Sequence, residues 1–337
     1  MEPVNFELIS DAVPVFEKVR HLPYGTREGV KNALDELERS GIIQSIESST
    51  WATPLVVVSK GNGKFRICGD YKVTVNKFIK QSASVTPPPE DIFEKTTGAK
   101  YFSKIDLKDV FLQLPITKEA QEITTLHTMW GLYSYKFLPF GLKNSPGLFQ
   151  RAIDKIIEGV QGCYAYQDDI LVLGSTEKEH DVNLTRLLQS LMKHNVKINV
   201  DKCIAKVKAL PFLGYIISEN GIIPDETKYK PIVEAPDPKS QEELRSLLGY
   251  LQYYSRFIKD FADKTRSLQL IVNNSEFEWN PELSTSLKNI VSEIVKAKPL
   301  KPFKQHTKIE LIVDASEFAI GGVLEQDGCR LILSREN

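Results

Sequence analysis

Asp168 and Asp169 stand side by side in Tyr166-Gln167-Asp168-Asp169, between two runs of apolar β-forming residues. Residues 163–173 read as two strands around a polar turn, so both carboxylates sit in a half-buried hairpin. Two like charges held there repel one another and resist desolvation unless a cation joins them. A divalent metal is the natural remedy, because neighbours on a tight turn need not point apart as they would along a flat strand. Asp-rich turns are also common as plain solvent-exposed turns, and the pair alone leaves both readings open. A third acid narrows the choice: Phe102-Ser103-Lys104-Ile105-Asp106-Leu107 is a strand with a carboxylate at its end. Apolar strands that deliver three carboxylates suggest a two-metal site for phosphoryl transfer.

The elements around these acids follow from periodicity and punctuation. Thr26 is placed to cap a helix with Val30, Ala33, Leu34 and Leu37 on its apolar face, and Gly41 ends it. Residues 42–46 and 54–59 read as strands. Gly61-Asn62-Gly63 is a hairpin turn into residues 64–68, and Pro87-Pro88-Pro89 is a rigid extended connector. Strands are expected at 101–107 and 131–138. Ser145 and Pro146 then start a helix whose face is Phe149, Ala152, Ile153, Ile156 and Val160, stopped by Gly162. Thr176 and Glu179 form a capping box ahead of Leu184, Leu187, Leu188 and Leu191. Residues 212–218 and 222–223 flank the hairpin signal Asn220-Gly221. Pro224, Pro231, Pro236 and Pro238 mark a linker. Ser240 and Glu243 cap a helix carrying Leu244, Leu247, Leu248, Leu251 and Phe257, on which Tyr253 and Tyr254 read as core. A helix near 283–297, a Lys/Pro-rich stretch at 298–305 and a strand at 309–313 ending in Asp314 complete the chain.

Composition removes several classes of function. With 337 residues, 42% hydrophobic and 26% charged, the chain can bury a sizeable core and is not disordered. No apolar run approaches the roughly 18–20 residues that span a bilayer. The N-terminus lacks the basic-then-apolar pattern of a signal peptide. The four cysteines show no CxxC spacing and the five histidines no HxxxH pair, so neither zinc nor a disulfide framework is expected. Forty-three basic against 44 acidic residues excludes a uniformly basic nucleic-acid coat, but not an enzyme with acid in one place and base in another. Basic windows do occur: six Lys/Arg against Asp201 between Arg186 and Lys208, and six Lys against Glu293 between Lys288 and Lys308. Such windows can follow a phosphate backbone or form a solvated helix face.

The ordered set FSKIDLKDVF (102–111), LPFGLKNSPGLFQ (138–150), YQDD (166–169), KC (202–203) and FLGY (212–215) resembles the reverse transcriptases of gypsy-class LTR retrotransposons. RICGDYKVTVN (66–76) and ELRSLLGYLQYYSRFI (243–258) match as well, so the resemblance covers essentially the whole chain. It implies an α+β right-hand polymerase of fingers, palm and thumb, with a truncated RNase H-like α/β segment at its C-terminal end. The expected boundaries are 1–223 for fingers and palm, 224–304 for a helical thumb or connection, and 305–337 for the RNase H-like start. The implied activity is RNA-directed DNA polymerisation by two-metal nucleotidyl transfer, on an RNA template or a DNA primer/template, with dNTPs as substrates. No membrane partner is implied. The implied location is the cytoplasm, within a virus-like particle, with access to the nucleus.

Carried over by position, Asp106, Asp168 and Asp169 would bind two Mg²⁺, a hard cation suited to oxygen ligands. The backbone of Asp109 and Val110 would lie beneath the triphosphate. Lys60 and Arg66 would clamp its charge, Arg66 as the planar bidentate donor; Lys64 is a second choice for the lysine. Phe111 would face the sugar, Phe140 would shape the nucleotide pocket, Lys202 would give a proton to pyrophosphate, and Leu213, Gly214 and Tyr215 would hold the primer end. Gln167 departs from the aliphatic residue or Met usual in the family, Val110 from the usual Ala, and 85–89 from a YPLP stretch. Residues 311–324 resemble the first RNase H strands, with Asp314 as first ligand. With 23 residues after it, no RNase H activity is expected and the segment beyond about 305 is expected to be mobile or loosely docked. Two alternatives stand beside this reading. One is a nucleic-acid-binding relic that no longer polymerises, which loss of an acid would favour. The other is a non-LTR or group II enzyme, against which the LPFGL turn and the RNase H-like start argue.

Overall fold

A computed structural model describes residues 1–61, 63–80, 88–274, 276–301, 308–315, 320–326 and 328–331. It mixes helices and largely antiparallel sheets in the α+β manner, with one parallel pairing between Thr53–Gly61 and Leu126–Thr128. The chain divides into two compact units. The first holds Met1–Pro87, Ile105–Val172 and Val182–Cys203; the second holds Pro88–Lys104, Leu173–Asp181 and Ile204–Asn337.

In the first unit a five-stranded sheet runs in the order Ile43–Ile46, Gly131–Tyr135, Leu126–Thr128, Thr53–Gly61, Lys64–Gly69. The predicted hairpin is present, with Val58 opposite Arg66 and left-handed Gly61 and Gly63 flanking the turn; Asn62 lies outside the described residues. The helix Tyr24–Arg39 packs on this hairpin through buried Val30 and Leu34. Thr26 does not cap it. The helix begins at Tyr24 after Pro23, and the Thr26 hydroxyl donates back to the Pro23 carbonyl at 2.9 Å. Gly29 is required where it stands, since a Cβ there would lie 2.5 Å from the Phe65 ring. Gly41, at φ +74°, ends the segment as expected.

The helix Ser145–Ile157 buries Leu148, Phe149, Ile153, Ile156 and Ile157. Its cap position is Asn144, not Ser145. Ser145 is buried instead, and its hydroxyl donates to the Pro139 carbonyl at 3.0 Å. Each fully buried Leu or Phe of this core contributes about 1.5–3 kcal/mol.

In the second unit the Pro-rich connector becomes a helix start. Pro88 precedes the helix Pro89–Lys95, where a first-turn proline loses no hydrogen bond; residues 81–87 lie outside the described residues. Strands Ala209–Phe212, Tyr215–Ser218 and Gly221–Pro224 form an antiparallel sheet. The continuous strand expected at 212–218 is broken by a tight turn at Leu213 and Gly214, both left-handed at φ +47° and +73°. The presumed proline linker contains the helix Glu226–Val233, capped by Asp225, which accepts from the Thr227 N–H at 2.9 Å, and with Pro231 inside it. Ser240 caps the helix Gln241–Tyr253 as read. A helix at Phe261–Asn273 carries no side-chain cap and had no start signal in the sequence. The helix Pro281–Val295 follows. Beyond it, Glu310–Ala315, Ile320–Gln326 and Cys329–Arg330 make a three-stranded antiparallel sheet in which the Asp314 backbone lies opposite Gly321. Of the Lys/Pro-rich stretch, Pro302 and Lys304 lie outside the described residues. Among the described residues no helix is long and apolar enough to cross a membrane.

Candidate active site

The three acids meet through the main chain. The hairpin Cys163–Tyr166 and Asp169–Gly174 pairs Tyr166 with Asp169, leaving Gln167 and Asp168 as its two-residue turn. Its second strand neighbours Tyr101–Asp106 in the sheet. At the end of that strand the Leu107 N–H donates to the Asp168 carbonyl at 2.8 Å, fixing Asp106 next to the turn. Asp106 is held from its other side too. Its carbonyl accepts the Asn199 N–H at 2.8 Å and its N–H donates to Cys203 Sγ at 3.4 Å, while that thiol donates to the Asn199 carbonyl at 3.2 Å. Asp168 is exposed and Asp169 half-buried, with Asp169 Oδ1 shielded from water.

The turn itself is braced by a residue the sequence reading passed over. Gln150, 2% exposed on the helix Ser145–Ile157, donates from Nε2 to the Ala165 carbonyl at 3.0 Å and to Asp154 Oδ1 at 2.9 Å. Its Oε1 accepts the Gln167 N–H at 2.9 Å. Gln167 sits at φ +53°, a conformation that costs a non-glycine residue about 1–2 kcal/mol. A glutamine on the apolar face of the helix, between Phe149 and Ile153, was the available signal.

The oxygen-only donor set suits a hard divalent cation. The backbone fixes the neighbourhood of the acids and not a finished cage: among the described residues, no three His, Cys, Asp or Glu side chains converge as a set able to hold a metal.

A second cluster gathers three of the expected nucleotide-site residues, Arg66, Phe111 and Phe140. Phe111 packs on Phe140 at 5.1 Å between ring centroids and on Phe149 at 6.0 Å, and the Arg66 guanidinium lies 5.0 Å from the Phe140 ring centre. Arg66 is exposed, as are Lys60 and Lys64. Burial pushes the Cys68 thiol up, and the charges of Arg66 and then Lys60 oppose that push. The Phe140 turn is set by Asn76: its Nδ2 donates to the Gly141 carbonyl at 2.8 Å and its Oδ1 accepts the Lys143 N–H at 3.0 Å. Gly141 is left-handed at φ +96°, and a Cβ there would sit 2.9 Å from the Gly69 carbonyl. Asp109 is left-handed at φ +43° and exposed, and Val110, buried, opens the short helical turn Val110–Gln113 that carries Phe111.

Lys202 is exposed at the end of the turn Val200–Lys202, one residue before Cys203. Lys206, counted in the basic window, is engaged by acids from outside it, pairing with Asp181 at 2.7 Å and Glu177 at 3.1 Å. In the second unit Leu213 and Gly214 form the turn described above, and Tyr215 is buried behind them. Tyr254 and Phe257 are core, but Tyr253 is 40% exposed, so the reading of it as core is corrected.

Residues 58–217 match the reverse transcriptase (RNA-dependent DNA polymerase) family. Across 95% of the chain the sequence is 31% identical to the retrovirus-related Pol polyprotein of transposon 412 from Drosophila melanogaster, and spans 26% of that protein. The fold superposes on a foamy viral protease–reverse transcriptase in complex with double-stranded DNA with a TM-score of 0.88 and 25% identity, covering 98% of this chain and 58% of the other. It superposes on the same kind of protein in complex with an RNA/DNA hybrid with a TM-score of 0.87 and 23% identity, covering 99% and 46%. The right-hand polymerase fold expected from the motifs is the one found.

Proposed function

We propose that this chain is the RNA-directed DNA polymerase of a gypsy-class LTR retrotransposon, part of a Pol polyprotein, extending a primer on RNA or DNA templates. The observation that carries the proposal is the 2.8 Å bond from Leu107 N–H to the Asp168 carbonyl, which sets the strand-end acid beside the two turn acids. The solved foamy viral relatives, with double-stranded DNA and with an RNA/DNA hybrid, support a nucleic-acid duplex as partner.

Asp106, Asp168 and Asp169 would hold two Mg²⁺, which when bound acidify the primer 3′-hydroxyl and offset charge on the departing pyrophosphate. The chain's own groups do the rest. Arg66, with Lys60, donates to the triphosphate, and its exposure leaves the planar guanidinium free to swing from the Phe140 ring onto phosphate. The main chain of Asp109 and Val110 supports the triphosphate from below. Phe111, braced by Phe140 and Phe149, closes the space where a ribose 2′-hydroxyl would sit. Lys202 gives a proton to pyrophosphate. Leu213, Gly214 and Tyr215 hold the primer strand. The location that goes with this reading is the cytoplasm, within a virus-like particle, with access to the nucleus.

Primer extension on RNA and DNA templates with Mg²⁺ and dNTPs tests the proposal. Templated extension dependent on Mg²⁺ is the expected result. Duplex binding without extension would establish the non-catalytic relic instead.

A further inference from the structure

The turn at Leu213 and Gly214 is a two-residue hairpin loop with both central residues left-handed. Such loops favour Asn-Gly or Gly-Gly, because a larger side chain is strained there. Leu213 at φ +47° is therefore an odd occupant, costing about 1–2 kcal/mol unless its surroundings hold it. The surroundings do so through two tyrosines. Tyr253 closes the helix Gln241–Tyr253 and donates its hydroxyl to the Leu213 carbonyl. Tyr254, the next residue, donates its hydroxyl to the Gly214 carbonyl at 3.2 Å. The Asp225 N–H reaches the same Gly214 carbonyl at 3.0 Å. Tyr215 returns the connection, donating its hydroxyl to the Tyr253 carbonyl at 3.0 Å and stacking on the Tyr253 ring at 5.1 Å with an interplanar angle of 23°. Gly214 is needed for its left-handed conformation at φ +73°, while a Cβ there would make only ordinary contacts with the two tyrosines at 3.4 Å.

Packing alone does not ask for these hydroxyls. A helix end that only had to cover a sheet would do so with phenylalanines, whereas here consecutive phenols take consecutive carbonyls of one strained turn. Burial raises the phenol pKa of Tyr254, so it remains a donor at all working pH values.

We infer that Tyr253 and Tyr254 are positioning residues that hold the Leu213–Gly214 turn in the shape that receives the sugar–phosphate backbone of the primer strand. The inference rests on the reading of Leu213, Gly214 and Tyr215 as the primer-holding residues. It makes grip on the primer a property of the helix Gln241–Tyr253 as much as of the turn.

The test uses the full chain with Tyr253→Phe, Tyr254→Phe and the double variant, which keep the rings and remove only the hydroxyls. Ser284→Ala serves as a control, since it deletes hydrogen bonds to Asp237 and Trp279 in the same unit without touching the turn. Primer–template dissociation, run length per binding event and single-turnover incorporation at saturating dNTP are measured with the melting midpoint. The expected result is a three- to tenfold faster dissociation and shorter runs for each single variant, with the dNTP KM unchanged and Ser284→Ala within twofold of wild type. If wild type extends primers and both single variants dissociate and run like it, the clamp is overturned whatever happens to the melting midpoint. The clamp is also overturned if Ser284→Ala loses grip to the same extent. A wild-type chain that extends no primer overturns the polymerase reading first, before any variant is compared.

Discussion

The main-chain N–H of Gln167 donates to Oε1 of Gln150 at 2.9 Å, so the turn that carries Asp168 hangs on a side chain from a helix 17 residues earlier. The same carboxamide holds the Ala165 carbonyl, on the opposite side of Gln167 from the acids. The position of the Gln167–Asp168 turn is thus set by a neutral group whose amide nitrogen donates and whose oxygen accepts in fixed places.

Gln150→Leu keeps the bulk and removes three hydrogen bonds, those to the Ala165 carbonyl, the Asp154 carboxylate and the Gln167 N–H. It leaves a buried carbonyl and a turn N–H without their partner, at a cost of about 1–3 kcal/mol in unfolding free energy. Displacement of the acids by even an ångström should lower single-turnover incorporation by roughly 100-fold. Gln150→Glu keeps the acceptor for the Gln167 N–H but places an anion against Asp154, so it should fall between Leu and wild type. Urea unfolding and rapid-quench incorporation check both. Incorporation at the wild-type rate in Gln150→Leu would show that the turn holds its place unaided.

The contrast between Gln150 and its surroundings shows what was legible beforehand. Ser240 with Glu243, Thr176 with Glu179, and Asn220-Gly221 each act within a few residues, and the structure has the expected caps and hairpin. The acids were legible because clustered like charge between apolar strands is costly and therefore conspicuous. Gln150, Asn76 and Tyr253 were not, because their partners lie 15–17, 65–67 and 40 residues away and each resembles an ordinary helix or loop residue. The helix Glu226–Val233 was hidden for the opposite reason: Pro231 is a loud local signal that the Asp225 cap and a short helix length override. Helix Phe261–Asn273 lacks a side-chain cap, so nothing marked its start.

Removing one acid should end polymerisation and spare the fold. Asp106→Asn and Asp168→Asn each delete a carboxylate whose main-chain bonds, from Asn199 N–H and from Leu107 N–H, remain. Relief of like-charge crowding should leave the melting midpoint at or above that of wild type. Extension should drop by at least about 1000-fold, the equivalent of roughly 4 kcal/mol of transition-state stabilisation. Extension assays alongside thermal melts decide the point. Near-normal extension by either variant would remove that residue from the catalytic set.

Cys163 offers a pH test of the hairpin core. Burial pushes its thiol up to about 12, and its Sγ faces the Asn183 carbonyl at 3.8 Å. The unfolded thiol titrates near 8.5, so the unfolded chain loses this proton first. The stability tied to the protonated thiol is therefore complete below about pH 8.5 and declines as pH rises toward 12. The unfolding free energy of wild type should fall more steeply between pH 8.5 and 10.5 than that of Cys163→Ala, which loses packing equally at every pH. At pH 8 the native thiol should also resist iodoacetamide by roughly three orders of magnitude relative to the urea-unfolded chain. Equal slopes, or fast alkylation of the native protein, would place Cys163 in a wetter site than the fold provides.

Sugar discrimination tests the aromatic cluster. Phe111 is held edge-on by Phe149 and tilted against Phe140, so it cannot rotate aside without breaking two ring contacts. A rigid ring beneath C2′ rejects a ribose by overlap with its hydroxyl, and rigidity is what turns a small overlap into strong exclusion. Phe111→Val removes the obstruction and leaves a gap against Phe140 and Phe149, costing about 1–3 kcal/mol of stability. Ribonucleotide kcat/KM should rise at least about tenfold relative to that for the matching deoxynucleotide. Phe140→Leu keeps Phe111 but loosens its support, so it should relax discrimination by a smaller factor. Incorporation kinetics with paired rNTP and dNTP substrates, at a temperature where both variants stay folded, separate these effects. An unchanged ratio in Phe111→Val would mean that the ring is core alone and that another group reads the sugar.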